Sequence, residues 1–369
     1  PRTAAYRLAG AMAHPMNRPR FDPEAKRVVE GYAILQPKIV PSLPTGPGST
    51  VYQRITSGPG GVDPYAGAVS DVYQDLFGEG SYTGKGIYDV DAFEAALAGQ
   101  VPENALLSHD LFEGIFARTG LVTDVDLFEE FPTNYEVAAR RRHRWVRGDW
   151  QLLPWILGHP RTAARGKQRP RIPAHSRWKM LDNLRRSLFA PSAVLLGVAA
   201  WTLPGVSPFL WTGLLLGAVA VPAFMPVLDD LVPRRSGFSK RSHLRATGRD
   251  IQVAALRLLV AITVLAHEAR YMTDAVVRTL VRLYATKRNL LQWVSAAQAG
   301  YGADLTLRTF YGHLRGSVIL SSGVGVLFVI FKPAAWPVAG PMVLLWVLSP
   351  VLTWWLSVPR KLAEKQRLS

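Results

Sequence analysis

Four dense apolar blocks, Leu188–Leu203, Phe209–Leu228, Ser317–Phe331 and Pro341–Val358, crowd the second half of the chain. Crossing the hydrocarbon core of a bilayer takes about 20 residues of helix, so each block is read as a span. The first is short, and the third needs little tilt or an extension through Leu314–Gly316. Only Pro204–Pro208 separates the first two, which must therefore form a hairpin; the last two form a second. Pro222 and Pro226 predict a kink in the second block.

Charge orients these hairpins. The part before them, the stretch 229–315 and the tail from Arg360 are all basic, whereas the hairpin loops carry almost no charge. The excess of Lys and Arg on cytoplasmic loops puts the three basic parts on one side, in the cytoplasm. Within 229–315, Arg257, Arg270, Arg278 and Arg282 recur at helical spacing. Leu256–Leu265 is apolar enough for a crossing, but His267, Glu268, Arg270 and Asp274 follow too closely. Amphipathic helices lying at the interface are expected there, with His267 and Glu268 in an ion-pair network rather than ligating a metal.

The overall charge of +16, from 43 basic and 27 acidic side chains, raises the question of nucleic acid. The arginines flank apolar blocks, however, and no zinc-finger spacing, helix-turn-helix pattern or RNA-binding aromatic pair accompanies them. No nucleic-acid partner is expected; the lipid bilayer is. Absence of cysteine removes any disulfide framework or thiolate nucleophile and fits a reducing compartment. The chain opens at Pro1-Arg2 without a start methionine or leader, and reads as the interior of a longer protein.

Up to about Arg186 the pattern is globular. Thr3–His14 reads as a helix stopped by Pro15, Tyr32–Leu35 and Lys38–Val40 as strand runs, Val51–Ile55 as a short helix and Leu121–Phe131 as a strand. In GEGSYTGKGIYDVDAFEAAL, four glycines (Gly78, Gly80, Gly84, Gly86) precede a short run at Ile87–Val90, after which Asp91 caps a helix with Glu94 at the box position. The glycines are either a pair of tight turns or a wall beside a ligand. Ser108 is the N-cap expected for a helix with Leu111, Ile115 and Phe116 on its apolar face. Short alternating strands and helices favour a layered α/β domain. The organisation read is an α/β domain over 1–165, a basic linker over 166–187, a hairpin over 188–228, interfacial helices over 229–315, a second hairpin over 316–358 and a basic tail over 359–369.

Just before the apolar region stands RRHRWVRGDWQ, Arg141–Gln151, with four arginines and two tryptophans. Such a helix offers cations and ring faces to an anionic, sugar-like ligand. It equally suits a basic helix end anchored by tryptophans at a membrane surface.

The order of residues decides between these readings. Arg144-Trp145, then Arg147-Gly148 and Gln151, resemble the acceptor-side signature of membrane-bound, processive glycosyltransferases of the family 2 type. Arg141 stands where the wider family has glutamine. Upstream, His109-Asp110 falls where that family has a glutamate-aspartate pair, with Leu111, Arg118 and Gly120 continuing the pattern. The histidine version, the GEGSYTGKGIYDVDAFEAAL run and Glu129-Glu130-Phe131-Pro132 resemble the bacterial cyclic beta-1,2-glucan synthases most closely.

That resemblance implies the second half of a GT-A-like nucleotide-diphospho-sugar transferase domain, followed by a helical membrane region of about four spans. It implies UDP-glucose and a growing glucan as substrates, Asp110 as catalytic base, and His109, Arg141, Arg144, Trp145, Arg147 and Gln151 around the donor diphosphate and acceptor. Trp145 would stack on an acceptor glucose or pack the domain against the membrane. Gly84, Lys85 and Gly86 would form an acceptor-side loop. A divalent metal, Mg2+ or Mn2+, is implied for the whole enzyme, its aspartate-x-aspartate motif lying upstream of Pro1; Asp89-Val90-Asp91 belongs to the acceptor-side block and is not read as that site. Cyclising and phosphorylase-like domains are expected elsewhere in the parent, and this piece alone is expected to be inactive. Another family 2 beta-glycan synthase, or a membrane scaffold without catalysis, are the alternatives.

Overall fold

The structure, a computed structural model, describes residues 2–42, 49–57, 71–102, 104–107, 110–158, 172–230, 240–293 and 305–359. Helix α1 (Arg2–Ala13) stops before Pro15, whose ring and missing N–H cannot continue it. Strands β1 (Arg20–Asp22) and β2 (Arg27–Glu30) form an antiparallel pair. Next comes β3 (Ile34–Pro41), one strand in place of the two runs read from sequence. It lies between the two-residue β4 (Ile87–Tyr88), antiparallel to it, and β5 (Thr119–Glu129), parallel to it. The β3–β5 register shifts at Pro37/Lys38, where Val122 and then Asp126 face successive residues of β3. A proline has no N–H for the ladder, so β5 bulges past it.

Short helices surround the sheet. Thr50 and Gln53 close a capping box on α2 (Val51–Thr56). Asp71 caps α3 (Val72–Phe77), its Oδ1 accepting from Tyr73 N and Gln74 N, while its Oδ2 accepts from Ser81 N. Helix α4 (Val90–Leu97) corrects the sequence reading by two residues. Asp89 is its N-cap, accepting from Ala92 N at 2.9 Å, and Asp91 sits in the first turn where its charge meets the helix dipole. Helix α5 (Asp110–Ala117) leads into β5; its expected cap, Ser108, lies outside the described residues. Then follow α6 (Tyr135–Gln151), capped by Asn134, and the short α7 (Leu153–Ile156).

Helix α8 (Ala174–Thr202) is longer than the block that announced it. Residues 174–187 of the stretch read as linker are its first turns, held by the α/β part: Lys179 Nζ donates to Gly80 O, Asn183 to Asp149, and Trp150 Nε1 to Ser187 Oγ. Helix α9 (Pro208–Asp230) completes the first hairpin. Helix α10 (Lys240–Leu280) is one continuous helix where several were expected, ending in a π-helical turn, Val281–Thr286. The second hairpin consists of α11 (Leu307–Phe331), then α12 (Trp336–Val347) and α13 (Ser349–Ser357), the last two bent by 47°. Its first helix runs well past the expected Leu314–Gly316 extension.

Among the described residues three helices are long and apolar enough to cross a membrane, Pro208–Leu228, His243–Thr286 and Leu307–Phe331, or four if the bent pair counts as one; α8, which contains the block read as the first span, is not among them, and α10, read as interfacial, is. The two hairpin tips meet: Lys332 Nζ donates to Ala200, Leu203 and Val206 carbonyls, capping the end of α8. The opposite ends return to the α/β part, where Ser357 Oγ accepts from Tyr135 N.

Apolar burial falls into three clusters. One fills the sheet, α5, α7 and the start of α8 around Phe112, Phe116 and Trp155. A second fills the hairpins around Trp201, Leu215 and Trp346, with Leu265, Ala266 and Ala269 of α10 at its edge. The third joins the two parts, through Tyr52, Tyr135, Val146, Tyr271, Met272 and Leu314. Helix α10 thus has hairpins on one face and α6 on the other. Along that second face Arg257 donates to Ile55 O, Tyr135 Oη pairs with His267 Nδ1, Arg142 with Glu268 and His143 with Asp274. From 257 to 274, about 26 Å of helix at 1.5 Å per residue, α10 stays against the α/β part. Of the ion-pair network expected at His267 and Glu268, Glu268 has its pair in Arg142, whereas His267 makes a hydrogen bond with the Tyr135 hydroxyl instead.

Candidate functional site

The glycine-rich loop and the start of α5 converge. Gly86 passes so close to β3 that a Cβ there would stand 2.5 Å from Leu35 O. Gly84, at φ +82°, lies against the Asp110 carboxylate; an added Cβ would be 2.9 Å from its Oδ2. Both glycines therefore have a steric reason, and the one at 84 makes the loop a wall of the Asp110 side chain. Gln36, 2% exposed in β3, fixes the approach by accepting from Thr83 N at 2.6 Å and from Thr83 Oγ1 at 3.0 Å. Tyr82 packs beside the carboxylates; burial, then Glu113 and Asp110, push its phenol up to about 12. It is a neutral donor at physiological pH.

Lys85 extends from the loop to Glu129 at the end of β5, and Arg141 of α6 approaches the same carboxylate at 3.7 Å. The Arg141 guanidinium lies over the Trp145 ring, 4.4 Å from its centroid, and that of Arg144 over Trp293 at 4.7 Å. Stacking uses the face of a guanidinium and leaves its N–H edge for oxygen ligands. Asp110, Gly84, Lys85, Arg141 and Trp145 are thereby linked in one chain of contacts, with Arg144 on the next turn.

Arg147 and Gln151 are placed differently. Arg147 is 6% exposed, and its Nη1 and Nη2 donate to Gln292 O and Leu290 O. Gln151, 1% exposed, accepts from Leu107 N at 2.7 Å and donates to Leu290 O at 3.1 Å. The two side chains hold the segment carrying Trp293 and brace the backbone three residues before Asp110. His109 lies outside the described residues.

Glu79, Gln36 and Trp293 were not singled out from sequence. Glu79 receives Arg27 at 2.6 Å, Arg118 at 3.6 Å and His175 at 3.2 Å, tying the loop to β2, the α5–β5 junction and α8. The signal for Gln36 was a lone amide in the apolar run ILQPKIV. Nothing local marks Glu79 or Trp293, whose partners are remote in sequence.

Among the described residues no group of three or more His, Asp or Glu is arranged to hold a metal. Asp89 is occupied as a helix cap.

A small sheet region whose glycine loop and basic helix meet at one carboxylate, docked on helices apolar enough to cross a membrane, defines a mostly helical, membrane-associated protein with a polar, ring-lined site. Among curated proteins, an alignment of 358 residues covering 96% of this chain shows 40% identity with the cyclic beta-(1,2)-glucan synthase NdvB of Rhizobium meliloti (strain 1021). The resemblance to cyclic beta-1,2-glucan synthases read from the motifs therefore extends along nearly the whole chain. The chain spans 12% of that relative's length. No family model matches the chain.

Proposed function

We propose that this chain is the acceptor-side part of an inverting glucosyltransferase, transferring glucose from UDP-glucose to a growing beta-1,2-glucan at the cytoplasmic face of a bacterial inner membrane. The observation that carries this reading is the packing of Gly84 on the Asp110 carboxylate, in the same contact chain as Lys85, Glu129, Arg141 and Trp145. The sheet and helices read best as the second half of a GT-A-like domain. The substrate and linkage rest on the similarity to the glucan synthase.

A beta bond made from an alpha-linked sugar nucleotide requires in-line displacement. The acceptor hydroxyl gives its proton to Asp110 as its oxygen bonds the anomeric carbon, and the bond from that carbon to the diphosphate breaks. The leaving diphosphate gains negative charge, which the N–H edges of Arg144 and Arg141 stabilise. Trp145 offers its ring to an acceptor sugar. Arg147 and Gln151 act through the backbone they hold. A divalent cation, bound by residues outside this segment, would neutralise the diphosphate.

The test uses membranes holding the full-length protein, labelled UDP-glucose and a divalent metal, with products resolved by linkage and ring closure. A beta-1,2 product that is abolished in Asp110→Asn, with the protein still inserted, is the expected result. Turnover like wild type would remove Asp110 as base, another linkage would move the protein to a different beta-glycan synthase, and no incorporation from any sugar nucleotide would leave a scaffold.

A further inference from the structure

Where α10 ends, the π-helical turn Val281–Thr286 and two residues at positive φ, Lys287 at 53° and Asn289 at 57°, fold the chain back along the helix. A cavity of about 710 Å3 opens there, lined by Thr273, Asp274, Val277, Arg278, Val281, Arg282, Thr286, Arg288 and Asn289. Arg282 secures the turn, donating to Asn289 O at 2.8 Å and to Gln292 Oε1 at 2.9 Å. Behind it stands Arg147, whose guanidinium is pushed below its usual range by burial and then by Arg282 and Arg278.

The charges at this place do not balance. Among the described residues, Arg278, Arg282 and Arg288 line the cavity with Arg147 behind them, while its one carboxylate, Asp274, is shared between Arg278 and His143. A helix C-terminus supplies about half a negative charge, too little for the remaining guanidiniums. Apolar surface adjoins them: Val277 and Val281, both lining the cavity, are 53% and 47% exposed. A ligand matching both features carries a phosphate and an apolar tail.

We propose that this cavity binds the phosphate headgroup of an acidic phospholipid, with Arg288 on the phosphate, the Arg278 and Arg282 charges beside it, and Val277 and Val281 along the acyl chains. The site is independent of the Asp110 chemistry. It anchors the C-terminal end of α10 at the bilayer surface, next to the segment that carries Trp293.

Native mass spectrometry of the full-length protein, reconstituted in phosphatidylcholine nanodiscs with or without phosphatidylglycerol, tests this. Wild type should retain phosphatidylglycerol and release phosphatidylcholine. Arg288→Gln, which leaves the Arg282 bonds in place, should lower retention several-fold, and Val277→Asp should lower it while the fold is kept. Equal retention in wild type and Arg288→Gln overturns the site. Displacement of the bound lipid by inorganic phosphate, together with unchanged retention in Val277→Asp, overturns the lipid and leaves a free phosphate as ligand.

Discussion

Arg144 and Arg147 lie one turn apart on the same helix and have opposite surroundings. Arg147 donates from both Nη atoms to backbone carbonyls and is nearly sealed from solvent. Arg144 meets Trp293 through its face. A guanidinium with its edge bonded to carbonyls is consumed as scaffold, whereas one held by its face keeps its donors for an anion. Charge density in RRHRWVRGDWQ thus divides into two tasks, and partner atoms tell them apart.

The comparison breaks most sharply through Arg144. Arg144→Ala should lower glucose transfer about 100- to 1,000-fold, the scale of losing one donor to developing charge, and lower stability by only about 0.5–1 kcal/mol for the lost ring contact. Steady-state kinetics with UDP-glucose, paired with thermal melts, measures both; unchanged kinetics would take Arg144 out of the donor site. Arg147→Ala should do the reverse, destabilising by about 1.5–3 kcal/mol as charged donors to two carbonyls vanish. A melt unchanged from wild type would show that the turn at 290–292 holds without it.

Gly84→Ala comes next. The added Cβ enters the Asp110 carboxylate, and the left-handed backbone costs about 1–2 kcal/mol for a residue with a side chain. Reduced kcat with a smaller change in KM is expected; an unaltered kcat would separate the loop from the base.

A pH effect sharpens the picture farther along α6. Asp149 lies against α8, where burial pushes its carboxyl from 3.8 up to about 7 despite the Asn183 hydrogen bond and nearby Arg186. The folded state then holds a proton that the unfolded chain has released, so stability should fall as pH rises from about 4 to about 7 and level off above. Asp149→Asn, which still accepts from Asn183, should flatten that slope in melts across the range. A persistent slope would assign it to other groups.

Much of this organisation was legible in sequence because it rests on local rules. Pro15 ends α1, Val51–Ile55 marks α2, and the run Leu121–Phe131 marks most of β5. The caps at Asp89 and the length of α8 were less legible. Two aspartates two residues apart can each cap, and the hydrogen bond to Ala92 N decides. The charged first turns of α8 read as linker until Gly80, Asp149 and Trp150 supply partners.

For the candidate site, residue types in order pointed to Asp110, Arg144 and Trp145, while the roles of Glu79, Glu129 and Trp293 depended on partners remote in sequence. The sequence by itself determined the two apolar hairpins, the basic segments beside them and the motif order, since hydropathy and spacing are properties of neighbours along the chain. Tertiary structure alone decided that Gly84 abuts Asp110, that Arg147 is scaffold, and that α10 runs along α6. Those outcomes depend on which distant backbone groups compete for each donor, and folding brings those competitors together.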